Sequence, residues 1–393
     1  MKNIKFEEYK LFFIFLRKKM MIPRTIENSI TKELFCGKAI VILGARQVGK
    51  SSLLKKMFNN NEDVIWIDGE LIETQLLFEN LTVSSAKTII GEAKIVIIDE
   101  AQSILNIGLK LKLFTDHFKD IQIIATGSSS FDLSNKINEP LTGRKWEYML
   151  FPLSFNEMAN HQNRFEEHKQ LHRRMVFGYY PEVVCRESKA IDILKQLTTS
   201  YLYKDVLQWE KVKKSEKIIK LLQAIAFQIC SQVSYSELGQ ICGLDNKTVE
   251  KYIMLLEQSY VIFRLPSFSR NLRNELKFSK KIYFYDNGIR NTLISNFNSV
   301  ELRPDVGALW ENFLMAERMK RNNYANYYAQ IYFWRTQEQK EIDLIEEYNG
   351  NLYAFEFKWN TKKTTKLPSH FSKAYPDAQF QCITPENYLE FIL

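Results

Sequence analysis

The stretch Gly44-Ala45-Arg46-Gln47-Val48-Gly49-Lys50-Ser51 is the most informative part of this chain for its fold, because it fits the pattern GxxxxGK[ST]. It directly follows an apolar run, residues 39–43, and opens a helical segment, residues 52–58. A strand, a glycine loop and a helix in this order form a phosphate-binding loop, because glycines let the backbone wrap the anion while N–H groups of the helix face it. The residues predicted to bind a nucleotide are Gly44, Ala45, Arg46, Gln47, Val48, Gly49, Lys50, Ser51 and Ser52.

Two side chains of this loop and two acids further along supply the chemistry for ATP and Mg²⁺. Lys50 is predicted to contact the β- and γ-phosphates, and the Ser51 hydroxyl to ligate the metal. The aliphatic run at residues 95–98 predicts a buried strand that carries Asp99 and Glu100 at its C-terminal end, where ligands bind in parallel sheets. We expect Asp99 in the metal shell and Glu100 polarising the attacking water. A strand that ends in two solvated acids is the alternative.

Hydroxyl side chains follow the next apolar run, in Thr126-Gly127-Ser128-Ser129-Ser130. A hydroxyl at this place would orient the attacking water or sense the γ-phosphate, and Ser128 is preferred over Thr126 for this role. Capping of a following helix explains the serines equally well.

Short β-branched runs alternate with helical stretches through the first part of the chain, which indicates a doubly wound α/β domain built on a parallel sheet. The composition is globular, with 45% hydrophobic and 25% charged residues, and 393 residues are too many for one core. The predicted strands of the first domain are residues 39–43, 64–67, 95–98, 121–125 and 147–151.

Together these motifs resemble those of the prokaryotic AAA+-type ATPases that carry an appended C-terminal domain of unknown function. The resemblance extends from Ile22 over nearly the whole remaining chain, and its carriers are residues 44–50, 97–102, 126–129, 141–144 and 151–155. It implies that Arg144 acts as a sensor or arginine finger on the γ-phosphate, a task that suits an always-charged planar group. The alternative for Arg144 is a surface ion pair, and a finger acting in trans would require a homo-oligomer.

The middle of the chain has a different pattern. Residues 156–220 are predicted to be helical, and residues 234–265 a winged helix-turn-helix with helices at 235–242 and 246–257. Only Lys247 and Lys251 contribute positive charge to these two helices, which weakens a role in reading DNA bases. A sequence-specific regulator of transcription is therefore the weakest of the functional hypotheses.

The last hundred residues carry a D…ExK arrangement, with Asp343 on one predicted strand, and Glu356 and Lys358 on the next. Residues two apart share a face of a strand, so Glu356 and Lys358 point the same way. Asp343 and Glu356 would hold one Mg²⁺, and Lys358 would steady the nucleophile or the phosphate. The arrangement resembles the PD-(D/E)xK nuclease fold, in which Glu311 would be the acid of the first helix. A catalytically inactive platform of the same fold is the alternative.

The fold class is therefore an α/β P-loop NTPase sheet, followed by a helical and winged-helix segment and a PD-(D/E)xK-like α/β domain. The apolar run at residues 10–16 is too short to span a bilayer, so we expect no integral membrane association. Five scattered cysteines without a CxxC pair favour a reducing cytoplasm. The predicted parts are an N-terminal extension (1–21), the ATPase core (22–155), a helical region (156–220), the winged helix (221–290) and the nuclease-like domain (300–393).

Basic residues concentrate in the C-terminal half, although the net charge of the chain is only +8. Residues 264–290 hold seven Lys or Arg and two acids, and residues 358–373 hold five Lys and no acid. Such charge suits the DNA backbone, whereas the interleaved aromatic residues are more typical of a core. Two functions remain: an ATPase that drives a DNA-handling unit, with nuclease activity uncertain, or an ATP-gated interaction scaffold whose nuclease-like domain is inactive.

Overall fold

The computed structural model describes residues 21–58, 61–128, 141–208, 215–269, 280–336, 338–363 and 365–393, except for the side chains of residues 200–208 and 215. The apolar run at residues 10–16, the pair Ser129 and Ser130, and the centre of the first basic segment lie outside the described residues.

Five strands build the sheet of the first unit. They are β1 (Ala39–Leu43), β2 (Val64–Asp68), β3 (Ile95–Asp99), β4 (Gln122–Gly127) and β5 (Lys145–Met149). All neighbours pair in parallel, in the order β2-β3-β4-β1-β5. The predicted parallel P-loop sheet is confirmed, with strand ends displaced by at most two residues.

Both faces of the central strands β1, β3 and β4 are buried, which explains why these strands are largely continuous apolar runs. Ile40 and Ile42 of β1 pack into one core, while Val41 and Leu43 pack into another on the opposite face. The helices of this unit are α1 (Glu27–Lys32), α2 (Lys50–Phe58), α3 (Ile72–Glu79), α4 (Val83–Ile90) and α5 (Ile107–His117).

A helical segment follows the sheet, as the sequence predicts. It starts with a capping box in which the Ser154 hydroxyl accepts from the Glu157 N–H and the Glu157 carboxylate accepts from the Ser154 N–H. Its helices are α6 (Phe155–His161), α7 (Arg164–Lys169), α8 (Leu171–Phe177), α9 (Pro181–Cys185), α10 (Ala190–Gln208) and α11 (Ser215–Phe227).

Three short strands and three helices come next. They are β6 (Gln232–Val233), α12 (Tyr235–Cys242), α13 (Asn246–Gln258), β7 (Ile262–Leu265), β8 (Lys280–Phe284) and α14 (Asn287–Leu293). The strands form an antiparallel sheet in the order β6-β8-β7. Val249, Ile253 and Leu256 of α13 are buried, so the apolar face predicted for this helix is confirmed.

The chain ends in a four-stranded sheet with helices. Its elements are α15 (Val306–Tyr324), β9 (Gln330–Arg335), β10 (Glu341–Tyr348), β11 (Asn351–Phe357), α16 (Ser369–Ala374), β12 (Gln379–Ile383) and α17 (Tyr388–Ile392). The strand order is β12-β11-β10-β9, with β9, β10 and β11 antiparallel and β12 parallel to β11. Within the described residues, no helix is long and apolar enough to cross a membrane.

Candidate nucleotide site and C-terminal carboxylate cluster

The phosphate-binding loop lies between β1 and α2, and its glycines are required by close backbone approach. A Cβ atom at Gly44 would lie 2.1 Å from the carbonyl oxygen of Leu150, so no larger residue fits. Gly49 has a φ of 100°, in a region that favours glycine. The loop therefore has a fixed shape that only this glycine spacing allows.

Lys50 is almost completely buried, at 4% exposure, although it carries a charge. Its Nζ atom donates to the carbonyl oxygens of Gly44 at 2.9 Å and Ala45 at 3.0 Å. These bonds hold the ammonium inside the loop, where an anion wrapped by the loop would meet it. The geometry suits contact with phosphate oxygens, as predicted for this residue.

The order of the strands brings the other predicted residues to the same edge of the sheet. The loop follows β1, Asp99 and Glu100 follow β3, and β4 lies between these two strands. Residues at the carboxyl end of β4, Thr126 among them, therefore lie between the loop and the two acids. This edge is where ligands bind in such sheets.

Thr126 contacts both acids. Its hydroxyl donates to Asp99 Oδ1 and accepts from the backbone N–H of Glu100, at 3.1 Å for the second bond. Ser128, which the sequence argument preferred, is buried and makes a different contact: its Oγ atom accepts from Gln102 at 3.1 Å. In the structure, Thr126 is therefore the residue whose hydroxyl lies next to the two acids.

Gln102 is a candidate that the sequence argument quoted but to which it assigned no role. Its Nε2 atom donates to Glu100 Oε2 at 2.6 Å as well as to Ser128. It lies in a short 3₁₀ turn, Ala101–Ser103, directly after Glu100. Its position two residues beyond the acid was the only signal in the sequence, and the 3₁₀ turn is what brings its amide back to the carboxylate.

Arg24 connects the phosphate-binding loop to later parts of the chain. Its guanidinium donates to the carbonyl oxygens of Val48 at 2.8 Å and Phe151 at 2.6 Å, and pairs with Glu157 at 3.1 Å. The Tyr324 hydroxyl of α15 also hydrogen-bonds with it. Arg24 is 8% exposed, so these contacts are shielded from water. No motif in the sequence marks this residue.

A cavity of about 190 Å³ adjoins the loop beside Arg24. Its lining is mostly apolar and comes from four stretches that are far apart in the sequence. The lining residues include Ile22, Val48, Gly49, Leu153, Pro181 and Cys185.

Arg144 does not lie at the nucleotide edge. Its carbonyl oxygen accepts from Ala39, the first residue of β1, so it sits at the amino end of the strands. Five residues of strand, about 17 Å, separate it from the loop. Its side chain pairs with Asp116 at 2.8 Å and is 41% exposed. The surface ion pair considered for Arg144 is what the structure shows, and its distance from the loop does not favour a sensor role toward the nucleotide of the same chain.

The structure brings the predicted C-terminal residues together on β10 and β11. Leu344 pairs with Phe355 in the antiparallel register, which sets Asp343 opposite Glu356. Asp343 Oδ2 accepts from the backbone N–H of Phe357 at 2.9 Å, and Lys358 Nζ donates to Glu356 Oε1 at 2.6 Å. The D…ExK residues are therefore neighbours, as their spacing predicts.

Lys281 of β8 adds a residue to this cluster that the sequence argument counted only as part of a basic segment. Its Nζ atom lies 3.0 Å from Glu311 Oε1 and 3.7 Å from Asp343 Oδ1, and it also pairs with Glu341. Lys281 is 1% exposed. We refer to Glu311, Glu341, Asp343 and Glu356 as the carboxylate cluster.

The pKa values in the cluster follow from burial and charge. Burial, with a further contribution from Asp343, raises the pKa of Glu311 to about 7, although Lys281 acts in the opposite direction. Burial and Asp343 likewise raise the pKa of Glu356 to about 7. Burial lowers the pKa of Lys281, but the carboxylates around it outweigh that effect and raise the pKa above its ordinary value. The charged form of Lys281 is therefore favoured.

The first basic segment contributes little free charge among its described residues. Arg264 pairs with Glu257, Lys281 with the cluster, and Arg290 with Asp305. The aromatic side chains of this segment that the structure describes pack inside, which confirms the interpretation that favoured a core. In the second segment, Lys362, Lys363, Lys366 and Lys373 are exposed.

Family models match three consecutive parts of the chain. Residues 37–159 match a family model described as an AAA domain. The P-loop sheet is therefore similar to an AAA domain, and we refer to the unit that contains it as the AAA-type domain. Residues 168–300 and 306–388 match two models described as domains of unknown function, DUF8612 and DUF4143.

Relatives of the whole chain occur in distant organisms. An uncharacterized protein of Methanocaldococcus jannaschii is 26% identical over 96% of this chain and 87% of its own length. One of Mycobacterium tuberculosis is 24% identical over 84% of this chain and 72% of its own length. A solved structure, the Walker-type ATPase of Pyrococcus abyssi, is 17% identical, covers 70% of this chain and 96% of its own, and superposes with a TM-score of 0.48.

Proposed function

We propose that the protein binds and hydrolyses ATP in its AAA-type domain and passes its nucleotide state to a C-terminal half that handles DNA. The observation that carries hydrolysis is the meeting of three strand ends: the loop after β1, Thr126 of β4, and the acids Asp99 and Glu100 after β3. Each part supplies one need of phosphoryl transfer, namely phosphate binding, metal binding and activation of water.

The roles follow from the positions. Lys50, held at the inner face of the loop by two carbonyl oxygens, would neutralise phosphate charge. Ser51 and Asp99 carry the hard oxygen ligands that Mg²⁺ prefers, and a bound Mg²⁺ would offset the charge of the β- and γ-phosphates. Glu100 would orient and deprotonate the attacking water, with Gln102 and Thr126 fixing its position.

The apolar cavity next to Gly49 suits the base of the nucleotide. It opens beside the loop, and its walls come from the N-terminal stretch at Ile22, the loop at Val48 and α9 at Pro181. A flat apolar ring fills such a space by excluding water from these side chains. A nucleotide would thus contact the helical segment as well as the phosphate-binding loop.

Coupling to the C-terminal half rests on Arg24 and α15. Arg24 hydrogen-bonds Val48 of the loop and also contacts Phe151, Glu157 and, at the end of α15, Tyr324. A shift of the loop on ATP binding would therefore change the hydrogen bonds at the end of α15. A buried charge that is separated from one partner needs another, because an unpaired charge is costly in the interior. This network gives the nucleotide state a physical route out of the AAA-type domain.

The DNA-handling part of the proposal rests on charge and on element order. The exposed lysines of residues 362–373 form a basic surface on the C-terminal domain. The order of α11, β6, α12, α13, β7 and β8 is that of a winged helix, which supports an accessory contact with the DNA backbone. The second candidate function, an ATP-gated scaffold without cleavage, is favoured by the position of Lys281 inside the carboxylate cluster.

A turnover assay with Mg²⁺, in the presence and absence of DNA, tests the enzyme hypothesis. We expect Lys50→Ala to remove detectable ATP turnover, and Glu100→Gln to keep ATP binding while lowering kcat by about 10²-fold or more. Lys55→Ala, an exposed lysine on the same helix, is the matched control and should behave like the wild type. Wild-type protein that binds ATP without hydrolysing it under any of these conditions would leave only the scaffold.

A further inference from the structure

The carboxylate cluster already has a cation at its centre. Glu311 Oε1 accepts from Lys281 Nζ at 3.0 Å and from the Tyr283 hydroxyl at 2.7 Å. Asp343 faces Lys281 with one oxygen and accepts from the Phe357 N–H with the other. The acids thus direct their lone pairs at donors of the same chain.

A divalent cation in this place would have to replace the ammonium group. Mg²⁺ takes six oxygen ligands at about 2.0–2.1 Å, which requires lone pairs that point at one common position. In the described residues, no group of three or more His, Cys, Asp or Glu side chains is arranged to hold a metal ion. Asp343 and Glu356 do not complete a metal site while Lys281 stays beside Asp343 and Lys358 pairs with Glu356.

We propose that the ammonium group of Lys281 occupies the centre of the carboxylate cluster in place of a divalent cation, so that the C-terminal domain does not cleave nucleic acid by a metal-dependent mechanism. Lys281 comes from β8 of the preceding unit and is buried against Phe333 of β9, which fixes its side chain. The cluster therefore joins residues of two units, and removal of the lysine would leave buried acids without their counterion. The inference is independent of ATP hydrolysis.

Removal of the lysine tests the proposal. Full-length protein without nucleotide is titrated with Mn²⁺ at pH 8, above the pKa of about 7 of Glu311 and Glu356, and free Mn²⁺ is followed by electron paramagnetic resonance. We expect no Mn²⁺ binding that depends on Asp343 in the wild type. Lys281→Ala should gain about one site per chain, at least tenfold tighter than any wild-type site, and Lys281→Ala with Asp343→Asn should abolish it.

The controls separate this site from others and from misfolding. Lys320 is as buried as Lys281 and pairs with Glu317 at 2.7 Å outside the cluster, so Lys320→Ala should gain no site. If Lys281→Ala is unfolded without metal, added Mn²⁺ should restore a cooperative melting transition, and Lys281→Met, which keeps the stem of the side chain, is titrated in the same way.

Three results would overturn the proposal. One is Mn²⁺ binding by the wild type that Asp343→Asn removes. Another is a folded Lys281 variant, Ala or Met, that gains no site. The third is Mg²⁺-dependent DNA cutting by the wild type that Lys358→Ala abolishes, because it would show that the cluster works with its lysine in place.

Discussion

Glu100 has a φ of 47° and a ψ of 43°, which is left-handed backbone. A residue with a side chain adopts this conformation at a cost of about 1–2 kcal/mol. Here the turn lets the backbone N–H of Glu100 reach Thr126 while its carboxylate meets Gln102. The strain therefore has a consequence at the site: the acid is aimed by its neighbours before any nucleotide binds.

Replacing Gln102 should show whether this aiming matters. We expect Gln102→Ala to lower the kcat of ATP hydrolysis by about tenfold with little change in KM, since the amide positions the acid without binding substrate. Steady-state kinetics with Mg²⁺ and ATP provide the measurement. Gln75→Ala is the matched control, because Gln75 bonds the Gly69 carbonyl at 3.0 Å at the same edge of the sheet. Equal kinetics of the two variants would remove Gln102 from the site.

Among the elements, α15 contacts each of the other units. Its 19 residues span about 28 Å. Near its start, Glu311 pairs with Lys281 and the Asn312 side chain bonds the backbone of Phe284. Further along, Arg318 pairs with Glu346 of β10, and the helix ends in contact with the AAA-type domain. A small displacement of this helix would change the packing of all three units.

The link between the loop and α15 can be cut without leaving a buried charge. In Arg24→Met with Glu157→Gln, both charges of the pair are absent, so the folding penalty of an unpaired ion is avoided. In the wild type we expect ATP binding to change hydrogen exchange in residues 306–324, and in the double variant we expect that change to disappear while ATP still binds. Lys94→Ala, which removes an exposed pair with Asp63, serves as the control. A persistent change in the double variant would assign the coupling to another route.

At the scale of the whole molecule, buried and exposed cations of the C-terminal half have different surroundings. Lys281, Arg290 and Arg318 are buried and neutralise carboxylates inside the C-terminal half. The lysines of residues 362–373, in contrast, are exposed and face the solvent. A net charge of +8 therefore understates the local field at this surface.

Binding of duplex DNA should depend on this surface. A variant with Lys362, Lys363, Lys366 and Lys373 all changed to Ala is expected to bind at least tenfold more weakly at low salt. The slope of log K against log salt should fall by about 0.9 for each phosphate that the variant no longer neutralises. Fluorescence anisotropy at several salt concentrations measures both quantities. The control changes four exposed lysines elsewhere, Lys87, Lys119, Lys189 and Lys195. Similar weakening in both variants would indicate nonspecific attraction.

The nucleotide-binding half of the protein could be predicted from the order of its amino acids alone. The spacing of Gly44, Gly49 and Lys50 admits one backbone shape, and buried parallel strands are visible as aliphatic runs because both their faces are covered. Asp99 and Glu100 were found for the same reason, since they end such a run. The D…ExK residues were found because two adjacent strands of known direction fix which side chains are opposite each other.

The neighbours of those residues, in contrast, became visible only in the folded chain. Arg24 and Lys281 act on partners that are 24 or more residues away in the chain, and no local pattern records such contacts. Arg144 is the last residue of the motif at residues 141–144, yet the direction of β5 places it at the amino end of the strands, opposite the loop. From the sequence, Lys281 is only one more positive charge. In the folded chain it is buried among three acids and acts as their counterion, because packing, rather than spacing in the sequence, decides burial and partners.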